Sequence, residues 1–175
     1  PKKNKNKIKI ILNGTELKDK KYKFNIKNNN IIFIGNINYL PNKIACFDFI
    51  KNTMPALKAR GLDVNFKIIG KASKILKYRL KKFNNVEVHS NVKNTEKFCK
   101  GAICGLCNLN IAAGVQNKIL EYMRVGIPTI ASQKSFDSFS FKKNKEIMVY
   151  KNQNELVNNI IKLKLNKEIS IKLSY

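Results

Sequence analysis

GVQNKILEYMRVGIPTIAS, residues 114–132, places a glycine before an amphipathic helix, a Gly-Ile-Pro turn after it, and a β-branched strand next. The spacing predicts a helix over residues 115–125 and a strand over 128–132. A helix N-terminus behind a glycine is an anion site, because its backbone N–H groups and its dipole both favour negative charge. Asn117 and Lys118 lie in the first turn, where a polar group and a cation add to that preference. Glu121 stands about 6 Å further along the axis on the same face as Asn117. A carboxylate there repels phosphate but accepts hydrogen bonds from a sugar's hydroxyls. Anion at one end and hydroxyls at the other describe a nucleotide, and a nucleotide-sugar fits the same arrangement. The competing reading makes Glu121 a helix-surface carboxylate paired with Lys118 or Arg124, each three residues away. Val115, Ile119, Leu120 and Met123 are expected to pack on a sheet.

The same alternation extends in both directions. IIFIG (31–35), VNFKIIG (64–70), VEVHS (86–90), AICGLCNL (102–109), PTIAS (128–132) and residues 147–150 read as strands. Residues 41–59, 72–82, 94–100, 115–125 and 153–164 read as helices. Pro41 sits at a helix start, and Gly61 follows the helix end. The expected fold class is α/β, a Rossmann-like three-layer domain with a mostly parallel sheet of six strands. Residues 1–30 read as linker, 31–165 as the ligand-binding domain and 166–175 as a helix cut short. Ligands in such sheets sit outside the carboxyl ends of the strands. The expected site wall is therefore the loops Gly35–Leu40, Gly70–Lys74, Ser90–Asn94, Asn110–Gly114 and Ser132–Ser140.

Composition narrows the classes. The 175 residues suit one domain with a full core, and 43% hydrophobic content argues against a disordered chain. The chain starts at Pro1 rather than a methionine, which leads us to expect a piece of a longer protein. No apolar run reaches the ~18 residues of a membrane span, and no secretory signal is visible. The net charge of +24 suits an anionic partner, but only Arg60, Arg79 and Arg124 are arginines among 35 basic residues. Base and phosphate readout favours the guanidinium fork, so specific nucleic-acid binding is not expected. Cys99, Cys104 and Cys107 have a C-x4-C-x2-C spacing known from iron–sulfur sites. Cys104 and Cys107 fall on one predicted strand, three apart, so they face opposite sides and cannot share a metal. The expected metal set is therefore none. His89 is the single histidine, which disfavours a Ser/His catalytic site. No GxGxxG or P-loop sequence occurs, so dehydrogenase and ATPase readings have no motif.

GVQNKILEYMRVGIPTIAS resembles the signature of group 1, family 4-like retaining glycosyltransferases, in the subset reading glycine-aliphatic-Gln-Asn-Lys-x-Leu-Glu-x-Met. IIFIGNINYLPNKIA (31–45) resembles the segment that opens their donor domain, and LDVNFKIIGKA (62–72) its second strand and glycine loop. ILNGTELK (11–18) resembles the segment joining their two domains. The resemblance implies the carboxy-terminal, donor-binding half of a GT-B fold, with the acceptor domain missing. It implies metal-independent transfer of a hexose-type sugar, with retention, to a glycan, lipid-linked or protein acceptor, and a role in polysaccharide biosynthesis. A nucleoside-diphosphate sugar would be the donor, no separate cofactor is implied, and the isolated domain is expected not to turn over.

By the same resemblance Glu121 holds the ribose, and Gly114, Val115 and Gln116 meet the diphosphate and sugar. Ser90 and Val92 touch the base edge, while Gly35, Asn36, Gly70, Lys71, Asn117 and Lys118 complete the binding set. Lys118, Lys71 and Asn36 are the candidates for stabilising the leaving diphosphate. Two departures stand out. A second glutamate that many relatives carry eight positions before Glu121 is Ala113 here. Where many carry an Arg and a Lys after the first strand, this chain has Asn36 near the Arg place and matches the Lys at Lys43 only with a gap. The alternative is a catalytically inactive basic module that uses its charge on an anionic membrane or a nucleic acid. The expected location is cytoplasmic, peripheral on the inner membrane face.

Overall fold

The computed structural model describes residues 22–111, 114–137, 139 and 141–174. Strands β1 (Asn30–Ile34), β2 (Asn65–Ile69), β3 (Val86–His89), β4 (Cys104–Cys107), β5 (Thr129–Ser132) and β6 (Met148–Tyr150) form one sheet in the order β3-β2-β1-β4-β5-β6. Every pairing between neighbours is parallel. The chain steps outward from β1 to β3, then returns to β4 on the other side of β1. The strand order therefore reverses between β1 and β4, which opens a crevice at their carboxyl ends.

The helices are α1 (Leu40–Asp48), α2 (Met54–Ala59), α3 (Lys74–Lys81), α4 (Glu96–Cys99), α5 (Asn117–Arg124), α6 (Gln133–Phe136), α7 (Gln153–Leu165) and α8 (Lys167–Lys172). The single helix expected over 41–59 is broken by a π-helical turn, Phe49–Thr53, just before Pro55. Proline has no N–H for the α-helical ladder, and the wider turn is where the chain accommodates that missing donor. The expectation for residues 102–109 is shortened to Cys104–Cys107, and the helix α6 has no counterpart in the sequence reading. Thr95 is the N-cap residue of α4 and makes no side-chain cap bond, while Asn94, one residue before it, accepts from Glu96 N–H at 2.9 Å.

Alternation along the strands builds two apolar layers. Ile31, Phe33, Phe66 and Ile68 face the layer of α1 to α3, where Phe49 packs on Phe66 with ring centres 4.5 Å apart and planes tilted by 40°. Ile32 and Ile69 face the other layer, with Tyr122 of α5 and Cys99 of α4. All four cysteines are free and buried, and burial pushes the Cys99 thiol up to about 12. Among the described residues no group of His, Cys, Asp or Glu is placed to hold a metal ion.

α5 is seated by one close approach. A Cβ on Gly105 would lie 2.2 Å from the Tyr122 ring, so only glycine lets this helix lie so near β4. The Tyr122 hydroxyl then donates to Leu106 O at 3.0 Å and accepts from Ile34 N–H at 2.8 Å. One side chain thus locks the helix to both strands that flank the crevice. The face of α5 turned inward carries Lys118, Ile119 and Tyr122, all buried. This corrects the expected stripe: Val115 instead lines the crevice, and Leu120 is only half-buried.

Candidate functional site

The crevice between β1 and β4 is a cavity of about 500 Å³. Ile34 and Gly35 form one wall, and Leu109 and Ile111 the opposite one. Tyr39 and Asn42 reach it from the start of α1. Val115, Gln116, Asn117, Lys118 and Glu121 close it from the α5 side. The N-terminus of α5 therefore points at this space, as the Gly114–Asn117 segment suggests.

Lys118 is the decisive side chain. It is only 8% exposed, yet among the described residues no carboxylate pairs with it. Its Nζ donates to Asn42 Oδ1 at 2.6 Å and sits 4.1 Å from the centre of the Phe33 ring. A ring face attracts a cation but does not neutralise it. Burial accordingly pulls the Lys118 ammonium below the ordinary lysine range. Lys118 does not contact Glu121, contrary to one of the two pairings the sequence allowed.

Glu121 has the other pairing. Arg124 grips it through both edges, with Nε to Oε2 at 2.9 Å and Nη2 to Oε1 at 2.7 Å. The Thr95 hydroxyl donates to Oε1 at 2.5 Å. The Arg124 hydrogen bonds are the main cause that holds the Glu121 carboxyl below the usual carboxylate range. Arg124 also reaches Glu96 of α4 at 3.4 Å. Glu121 is thus fixed in place and ionised, and it lies on the cavity wall. A carboxylate accepts about four hydrogen bonds; three are used here, so one acceptor position remains for a hydroxyl.

The glycine loops meet beside the cavity. A Cβ on Gly70 would fall 1.9 Å from Gly35 O, and Gly70 has φ +150°. A Cβ on Gly35 would come within 2.9 Å of Asn42 Nδ2, so Gly35 leaves the space that Asn42 fills. Ser90 donates its hydroxyl to Gly70 O at 3.0 Å, and Val92 packs against the α5-side apolar layer. Asn36 is exposed; its Oδ1 accepts from Asn38 N–H at 3.1 Å and its carbonyl accepts from Asn42 Nδ2 at 2.9 Å. Lys71 is exposed, and its carbonyl accepts from Ile37 N–H at 2.7 Å. Gly114 is exposed with φ +68°, a conformation that suits glycine.

Of the predicted set, Gly35, Val115, Gln116, Asn117, Lys118 and Glu121 line the cavity, whereas Asn36, Gly70, Lys71, Ser90, Val92 and Gly114 lie outside its lining. Lys43 lines a different groove, on the outer side of α1. Ala113 and the segment 11–18 fall outside the described residues. Asn42, Tyr39, Thr95 and Arg124 were missed as site residues. The Pro-Asn pair in IIFIGNINYLPNKIA marks Asn42 in the sequence, but its partner Lys118 is 76 residues away.

The sheet order, the crevice at its reversal point and the helix aimed into it define a Rossmann-like ligand-binding domain. Residues 28–166 match the family Glycosyl transferases group 1, and the chain belongs to that family. Among solved structures it is similar to TarM of S. aureus, solved with fondaparinux, alpha-GlcNAc-glycerol and UDP, at 16% identity and a TM-score of 0.71. That match covers 93% of this chain and 33% of TarM, so the chain spans about a third of its neighbour's length. HepE of Anabaena, in complex with UDP and glucose, matches at 12% identity with a TM-score of 0.65, over 84% of this chain and 41% of its own. The C-terminal domain of LpcC, a glycosyl transferase group 1 family protein from Francisella tularensis, matches at 15% identity with a TM-score of 0.62, over 88% and 82%. No curated protein matches the chain in sequence.

Proposed function

We propose that this chain is the donor-binding domain of a retaining glycosyltransferase and that the β1–β4 crevice holds a nucleoside-diphosphate sugar. The observation that carries the reading is Lys118, a buried cation with no counter-ion among the described residues, on the wall of a cavity that also receives the N-terminus of α5. A diphosphate bound there would supply the missing negative charge. The α5 dipole adds to the same attraction. Glu121, held ionised by Arg124 and Thr95, offers its remaining acceptor position to a ribose hydroxyl.

Sugar transfer breaks the bond between the anomeric carbon and the diphosphate, and negative charge grows on the departing oxygen. Fixed donors meeting that charge lower the barrier. Lys118 is the residue we assign to this role, with Asn42 orienting its ammonium. Lys71 and Asn36 stand on the adjoining loops, within the strand ends that face a bound donor. The acceptor is met by a second domain across the cleft, and this chain alone binds donor without turning it over. The donor sugar is of hexose type and the acceptor a glycan, a lipid-linked glycan or a protein. The HepE complexes with UDP and UDP-glucose support a uracil nucleotide as the first ligand to try.

Thermal unfolding of the chain with UDP, GDP, ADP and CMP tests the reading. Ligand at roughly 100-fold over its dissociation constant adds about 2.7 kcal/mol of stability. A rise in Tm with one diphosphate supports the assignment and names the base. No rise with any of the three diphosphates, or a rise with CMP alone, overturns it.

A further inference from the structure

The outer face of α1 and α3 is apolar and basic together. Ile75 is 75% exposed and Tyr78 65% on α3, while Leu40 and Ile44 stand out from α1. A monomer surface scatters such side chains singly; a cluster marks a contact surface. The cluster is continuous. Leu76 and Leu80 face the sheet, and Arg79 lies over Phe47 of α1 at 5.6 Å. At 100° per residue, Ile75, Lys82 and Tyr78 follow Arg79 in turn around α3, away from the sheet. On α1, Phe47 faces α3, and Leu40 and Ile44 come next round on the outward side.

Charge surrounds this apolar strip. Lys43 and Lys51 line the same groove as Ile44 and Phe47, and Lys74, Lys77 and Lys81 lie past Tyr78 around α3. Asp48 is the one acidic side chain on these two helices, and it accepts from Asn52 at 2.7 Å. Isoleucine and leucine offer nothing to a phosphodiester chain, and lysine-rich surfaces read bases poorly. Exposed aliphatic and tyrosine side chains within a ring of lysines match the chemistry of a bilayer whose headgroups are anionic. Among the described residues no helix is long and apolar enough to cross a membrane, so such a contact would be peripheral.

We infer that the α1–α3 face is a membrane-docking surface: Ile75, Tyr78, Leu40 and Ile44 enter the interface of an anionic phospholipid bilayer, and the surrounding lysines meet its headgroups. Tyr39, which lines the crevice, adjoins Leu40 at the upper end of the strip. Docking this way sets the mouth of the crevice at the membrane surface. The inference stands on the outer face alone and is independent of what the crevice binds.

The test is sedimentation of the chain with phosphatidylglycerol vesicles and with phosphatidylcholine vesicles. The chain should bind the first and not the second. Ile75→Ser with Tyr78→Ser should weaken binding by about tenfold, the scale of removing two partly inserted apolar side chains. Lys77→Gln with Lys81→Gln should weaken it comparably, while Lys142→Gln with Lys145→Gln, beyond the β6 edge of the sheet, should change it by less than about twofold. Equal losses from both lysine pairs with none from the apolar pair would reveal a diffuse charge effect and overturn the inference. So would RNA that displaces the vesicles with an affinity the apolar pair does not alter. The chain has no tryptophan, so Tyr78→Trp supplies a single reporter that needs no destabilising change. Its emission should shift to the blue on phosphatidylglycerol vesicles, and unshifted emission on bound vesicles contradicts insertion.

Discussion

The first and second turns of α5 treat charge in opposite ways. In the first turn Lys118 is buried against a phenylalanine ring and an asparagine, and burial pulls its pKa down. In the second turn Glu121 is matched by Arg124 and Thr95, and those bonds keep it ionised. The two groups are three residues apart on one eight-residue helix, seated by the same tyrosine. Helix propensity and sheet packing are common to both and do not explain the difference. An uncompensated buried cation costs stability. Lys118 lies on the wall of the cavity, where the proposed diphosphate would offset that cost. The pair at Glu121 holds a geometry; the ammonium of Lys118 has no carboxylate partner among the described residues.

The severest way to break this comparison is to unseat the helix. Gly105→Ala would drive a Cβ into the Tyr122 ring, at a cost of about 3 kcal/mol in urea unfolding. Both turns should lose their function together. Tyr122→Phe is milder, because it removes the hydroxyl that accepts from Ile34 N–H. A cost of about 2 kcal/mol is expected in the same unfolding experiment, again with no preference between turns.

Lys118→Met separates the turns. It should raise Tm, since a desolvated charge is exchanged for an apolar chain of similar length. The lowered lysine pKa fixes the sign: the folded chain holds its proton less firmly than the unfolded chain, so the charged form costs stability at low pH. The gain from methionine should therefore be largest below the depressed value of Lys118, and shrink as pH rises from that value toward the ordinary lysine range. Tm measured across that range checks it.

The smallest effect concerns the second turn. The folded Glu121 pKa is lowered, so its contribution is present above the ordinary carboxylate range and lost as pH falls through the folded value. Glu121→Gln should be less stable than the native chain near neutrality, and the gap should close as pH falls below the ordinary carboxylate range and through the lowered value of Glu121. A gap that stays constant with pH would remove the charge argument from this turn.

Much of the fold was legible because its signals are local. Apolar runs ending at Gly35 and Gly70, and helices of regular period between them, announce a parallel sheet without any partner being known. Glycine at position 105 and tyrosine at 122 gave no such signal, since their fit depends on two elements meeting. The site was legible in outline: the α5 N-terminus and Glu121 face the crevice as the sequence suggests. The fate of each charge was not. Arg124 and Lys118 are equally spaced from Glu121 in sequence, and the direction each takes is set by β1, α1 and α4. Asn42 falls inside the helix expected over 41–59 with no local sign of its partner, and it is the hydrogen-bond partner of a buried lysine. Lys43, its neighbour, faces the outer groove because one residue on a helix turns the side chain by 100°.

The most direct test is the affinity of the chain and of Lys118→Met for two ligands: the diphosphate chosen by the thermal panel and its parent nucleoside. The account predicts a loss of at least about tenfold for the diphosphate, roughly 1.4 kcal/mol, with nucleoside affinity unchanged and Tm no lower than in the native chain. Equal losses for both ligands, or none for the diphosphate, would contradict the assignment of Lys118 as the cation that meets the phosphates.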